Sequence, residues 1–84
     1  MALRLGTDVC TALTDYGTVL LDQRSGEYWE LNPTGTIVVQ TLLEGGEQGD
    51  AVDALVTEFD VERSQAVRDV TALIAQLRAT GLVV

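Results

Sequence analysis

The chain has 84 residues, 46% hydrophobic and 5% aromatic, and thirteen acidic side chains oppose five arginines, with neither lysine nor histidine, for a formal net charge of −8. A chain of this length reads as one domain, 1–84, with a thin core, and its acidity argues against a phosphate backbone as partner and favours a basic peptide or protein surface. Without histidine the usual general base at neutral pH and the commonest neutral metal ligand are missing, so neither catalysis nor a metal or other cofactor is expected. Cys10 is the only cysteine, which excludes an intrachain disulfide, and no signal peptide or membrane span is legible, so a soluble cytoplasmic protein is expected.

Residues 1–8 carry little pattern and read as a frayed or edge-pairing start. From Val9 apolar and β-branched residues recur, Asp15-Tyr16-Gly17 supplies turn chemistry, and Thr18 to Asp22 forms a second run: a hairpin. Arg24-Ser25-Gly26 signals another turn, and Glu27 to Leu31 a third strand, completing a meander. Asn32-Pro33 then opens a helix, because Asn accepts a hydrogen bond from an otherwise orphaned N–H and proline at the first helical position has none to lose. Ile37, Val38, Thr41 and Leu42 keep helical spacing until Gly45-Gly46, and Gly35 in the first turn points to close packing. A second amphipathic segment covers Asp50 to Phe59, and Asp60 is the expected cap of a third helix. That helix carries Ala66, Val67, Val70, Leu73, Ile74 and Leu77 on one face, stops at Thr80-Gly81, and leaves Leu82-Val83-Val84 to fold back on the core. The predicted class is α+β and winged-helix-like: a three-stranded antiparallel sheet followed by three helices.

The stretch Leu20-Leu21-Asp22-Gln23-Arg24-Ser25-Gly26-Glu27-Tyr28-Trp29-Glu30-Leu31-Asn32-Pro33-Thr34-Gly35 resembles the signature of the PqqD-like family. In that signature a Gly, an aromatic residue, a Leu-Asn pair and a following Gly span the third strand and the start of the first helix. The Gly45-Gly46 break, Asp69-Val70 in the last helix and the Gly81-Leu82-Val83 ending agree with it, so the resemblance runs from Val9 onward. It implies a recognition element for the leader peptides of ribosomally made, post-translationally modified peptides (RiPPs). In such elements the leader adds as a strand to the sheet edge and packs on the third helix. Tyr28-Trp29-Glu30-Leu31-Asn32-Pro33-Thr34-Gly35 is most similar to the stand-alone subunits of split lasso-peptide leader peptidases. There the implied partners are the precursor leader, a separate leader-cleaving cysteine protease and a macrolactam-forming synthetase.

On this reading the peptide-binding candidates are Glu27, Tyr28, Trp29, Glu30 and Leu31 on the strand and Val67, Asp69, Val70, Thr71 and Ile74 on the helix. Strand alternation puts Trp29 and Leu31 on the core face and Tyr28 and Glu30 on the other. At 100° per residue Ala66, Val70, Leu73 and Leu77 fall at the centre of the apolar stripe, Val67, Thr71 and Ile74 on the flank expected to form the groove, and Asp69 on the opposite flank. Glu27, Glu30, Asp53, Glu58, Asp60 and Glu62 are placed to steer a basic leader, or simply to solvate the surface. Cys10 reads as a buried small hydrophobe, and Asp22 with Glu30 lack the partner base that a catalytic pair requires. Two other functions stay open: a winged-helix DNA-binding protein, for which Arg63, Arg68 and Arg78 offer few phosphate contacts, and a general protein-interaction scaffold. Val67→Glu and Ile74→Glu are expected to weaken peptide binding, measured by anisotropy of a labelled leader, and to leave the fold intact.

Overall fold

The computed structural model describes residues 3–84. Strands β1 (Val9–Thr14), β2 (Gly17–Asp22) and β3 (Tyr28–Leu31) precede helices α1 (Pro33–Leu43), α2 (Gln48–Phe59) and α3 (Arg63–Thr80). The strands form one antiparallel sheet in the order β1-β2-β3. This is the α+β meander-then-helices order expected from the sequence.

Two turns set the register. Asp15-Tyr16 joins the pair Thr14·Gly17, and the five residues Gln23 to Glu27 join β2 to β3, with Gly26 at φ 78°. The Asp22 N–H donates to the Glu27 carbonyl at 2.9 Å. Antiparallel ladders alternate bonded and non-bonded pairs, so Leu20·Trp29 and Thr18·Leu31 are the next bonded pairs. It follows that the main-chain groups of Tyr28 and Glu30 point away from β2, toward a sheet edge that no other strand covers.

Gly17 is required where it stands. Its φ is 154°, and a Cβ built there would lie 2.0 Å from the Leu31 carbonyl oxygen, so the tip of the first hairpin sits flush against the end of β3. Immediately beyond, the Asn32 side chain accepts from the Gly35 N–H at 2.8 Å and Pro33 occupies the first turn of α1. The sheet thus becomes a helix within two residues.

The core gathers Leu20 and Leu31 from the sheet, Val38, Val39 and Leu42 from α1, Ala51, Val52 and Leu55 from α2, and Ala66, Val70, Ile74 and Leu77 from α3. Because only β2 and β3 touch helices, β1 overhangs as an exposed strand, and Leu13 on it is 74% exposed.

Local structure departs from the sequence expectations at five places. β3 begins at Tyr28 rather than Glu27, whose N–H is held by the Ser25 hydroxyl at 3.2 Å. α2 begins at Gln48, two residues earlier than expected, because Asp50 folds back to accept from the Glu47 N–H at 2.8 Å. Asp60 ends α2 in the left-handed conformation, φ 53°, and Glu62 is the residue that precedes α3; Asp tolerates this region through its short polar side chain. Of residues 1–8, 1 and 2 lie outside the described residues, and the others are tied down. Arg4 and Val84 exchange main-chain hydrogen bonds of 3.1 and 2.8 Å, the Gly6 N–H donates to Leu82 at 2.9 Å, and Leu3 is buried in the core. Cys10 is half-buried rather than buried, and accepts from the Gln23 amide at 3.3 Å.

Gly17→Ala sets a methyl group against a fixed backbone carbonyl in a conformation that alanine avoids. It should lower the unfolding free energy by about 2–4 kcal/mol, seen as a reduced urea midpoint with unchanged slope.

Candidate functional site

On the helix-bearing side of the sheet, the free edge of β3 and one flank of α3 enclose an open cleft of about 490 Å³. Trp29, Leu31, Val38, Leu55, Phe59, Val61 and Leu73 supply its apolar lining. Its charged lining groups, Glu30 and Asp69, are both acidic, and Asn32, Thr34 and Gln76 complete the polar rim.

Each wall has a local cause. Alternation turns Trp29 and Leu31 to the helical side; Leu31 is buried, whereas Trp29 is half-buried and forms cleft wall as well as core edge. Tyr28 and Glu30 are exposed on the outer pleat, Tyr28 at 63%, and what they offer the cleft's open side is main-chain N–H and C=O. On α3 the cleft is lined by Asp69, Ala72, Leu73 and Gln76, which share a flank at spacings of three, four and seven. The Asp69 carboxylate accepts from the Gln65 amide at 2.8 Å, and Gln65 in turn accepts from Arg68 at 3.2 Å, so Asp69 is held on the exposed rim by its own helix. Phe59, the last residue of α2 and 37% exposed, and Val61 in the α2–α3 link close the end of the cleft.

The ten residues singled out from sequence are therefore divided. Trp29, Glu30, Leu31 and Asp69 come together in the cleft, and Glu27 and Tyr28 lie along the strand that borders it. Val70 and Ile74 are core residues, 1% and 3% exposed, and cannot meet a ligand without unfolding α3 from α1 and α2. Val67 and Thr71 are exposed, but on the flank of α3 turned away from the cleft. The groove was expected on that flank; the cleft seen in the structure is on the other, where Leu73, taken as mid-stripe core, is half-buried and forms wall. Sequence periodicity also passed over Phe59, Val61, Ala72 and Gln76. The only hint for them was that Phe59 and Val61 bracket a short link beside an acidic residue.

Among the described residues no three His, Cys, Asp or Glu side chains converge as a metal site requires. No helix is long and apolar enough to cross a membrane.

Burial converts the sequence-based test into a stability test. Ile74→Glu would place a carboxylate in the core and should abolish cooperative thermal unfolding or lower Tm by more than about 15 °C, whereas Val67→Glu should leave Tm within a few degrees of wild type; circular dichroism melts read both.

Residues 17–83 match the family model described as coenzyme PQQ synthesis protein D (PqqD). Among solved structures, a lasso peptide synthetase B1 complexed with the leader peptide is 45% identical, with a TM-score of 0.93 over 100% of this chain and 99% of that one. TbiB1 in complex with the TbiA(beta) leader peptide is 29% identical, with a TM-score of 0.84 over 95% of this chain and 93% of that one. No curated protein matches the chain. A family match that begins at Gly17, against the end of β3, and ends at Val83, paired with the N-terminal segment, takes in β2, β3, all three helices and the cleft they form, and the chain belongs to the PqqD family.

Proposed function

We propose that this protein binds the leader peptide of a ribosomally made precursor of the lasso type, as a strand added to the edge of β3 with alternate side chains in the β3–α3 cleft. The observation that carries this reading is the juxtaposition of an uncovered strand edge with an apolar cleft on its helical side. The two similar structures were both solved with a leader peptide. The role is binding and presentation rather than catalysis. A separate cysteine protease and a macrolactam-forming synthetase are the proposed partners that act on the presented precursor.

Magnitudes assign the parts. Two outward-facing residues, Tyr28 and Glu30, can make at most about four main-chain hydrogen bonds, worth ~1 kcal/mol each, and Pro33 has no N–H with which to extend the ladder. That sum corresponds to roughly millimolar binding even before the entropy of ordering the peptide is subtracted. Side chains in the cleft must therefore supply most of the affinity, at about 1.5–3 kcal/mol for each fully buried apolar group. The leader segment should accordingly alternate, with two or three large apolar residues facing the helices. The acidic rim and the net charge of −8 favour basic residues beside them.

The test is fluorescence anisotropy of a labelled synthetic peptide carrying the leader of the precursor encoded beside this protein. Saturable binding at micromolar concentration or tighter is expected, lost on scrambling the peptide. Leu73→Glu, which puts a carboxylate in the cleft wall, should weaken binding at least about 10-fold with little change in Tm, while Val67→Glu binds as wild type. Loss of binding in Val67→Glu with Leu73→Glu unaffected would sink the assignment of the cleft.

A further inference from the structure

We infer that the bound peptide does not end at the cleft but continues past the C-terminal end of β3 onto a second subsite at the tip of the first hairpin, where Tyr16 and Asp15 receive a basic residue, arginine by preference. This rests on the leader-binding reading above and extends its site.

A second surface depression is lined by Asp15, Tyr16, Glu30, Leu31, Asn32 and Pro33. It shares Glu30, Leu31 and Asn32 with the β3–α3 cleft, so the two form one continuous path across the end of β3. A strand lying along β3 has no further pairing partner beyond Leu31, because the chain turns there into α1 behind Pro33. The peptide's next residues are carried over this depression whichever way the peptide runs.

The lining selects a chemistry. Tyr16 is 84% exposed and lines the depression together with Pro33, which leaves its aromatic ring largely open to a ligand. Asp15 and Glu30 are the charged groups of this lining, and neither is basic nor paired with an arginine in any ion pair found among the described residues. A guanidinium satisfies both features at once: its plane stacks on a tyrosine face while its edge donates to carboxylates, whereas an ammonium has no planar face to stack and an apolar side chain no donor.

Position is secured by the fold. The hairpin tip cannot drift from the end of β3, because Gly17 packs directly on the Leu31 carbonyl. The Tyr16 N–H is further held by the Thr14 hydroxyl at 3.2 Å. An exposed tyrosine at a loose turn would have little reason to face a ligand; this one is fixed beside the exit of the cleft.

The experiment compares wild type, Tyr16→Ala and Asp15→Asn for binding three labelled peptides: the full leader, and the leader trimmed on either side of its strand-adding segment. Both substitutions sit on exposed side chains and should leave Tm unchanged. Tyr16→Ala should weaken the full leader about 3- to 10-fold, Asp15→Asn should weaken it less and flatten its salt dependence, and trimming one flank, but not the other, should erase the difference between variants and wild type. Exchanging the basic residue of that flank for glutamine in the full leader should reproduce the loss. The subsite is overturned if Tyr16→Ala binds the full leader as wild type does, if the loss persists with both trimmed peptides, or if neither flank of the leader carries a basic residue. Leu73→Glu separates the two readings: if it abolishes binding while Tyr16→Ala does not alter it, the cleft stands and the second subsite falls. If the wild-type protein binds no leader, both fall together.

Discussion

At Leu31-Asn32-Pro33 the chain leaves the sheet and enters α1 within two residues, and that junction sets where the free edge of β3 lies relative to α3. Several independent contacts converge there. The Leu31 side chain is buried in the core and packs beside Gly35; its carbonyl receives Gly17 with no room for a methyl group; the Asn32 side chain caps the helix; Pro33 begins it. Each works locally, through sterics or one hydrogen bond. Together they hold the hairpin, the edge strand and the first helix as one body, on which the cleft can keep its shape.

Leaving an edge open is a hazard for a β-protein, since unpaired N–H and C=O groups recruit other strands. This chain limits the exposure on the β3 side by making the strand four residues long, with Glu30 on its outer pleat and a proline just after its end. The same brevity limits what main-chain pairing can contribute to binding. Under the proposed function, recognition is thereby shifted onto the apolar cleft wall, where sequence discrimination is possible, and onto the acidic rim, whose charge complements a basic peptide.

Stability and binding draw on the same few apolar residues. With a thin core, α3 commits Ala66, Val70, Ile74 and Leu77 to packing, and has only the adjoining flank, with Leu73 at its margin, left for a ligand. Trp29 is divided in the same way, packing against the core with part of its ring in the cleft. The pairing of the N-terminal segment with Leu82 to Val84 helps such a small domain hold α3 in place from its far end.

Much of this was legible in the residues alone. The order of strands and helices followed from turn chemistry and the change of period at Asn32-Pro33, Ala66, Val70 and Leu77 of the α3 core stripe from spacing, and the family from an ordered set of glycines, aromatics and the Leu31-Asn32 pair. Local sterics and capping act over a few residues, which is why one sequence suffices to read them. The flank of α3 that lines the cleft was not legible. Val67, Thr71 and Ile74 on one side and Asp69, Leu73 and Gln76 on the other carry comparable mixtures of apolar and polar groups, and periodicity is blind to which of them looks toward β3. That choice depends on the direction in which α1 and α2 carry the chain back across the sheet, a long-range property settled by packing. Tertiary structure also decided that residues 4–6 pair with the C-terminal tail, and that Tyr16 stands at the end of the cleft, since in each case the partners lie far apart in the chain and only the fold brings them together.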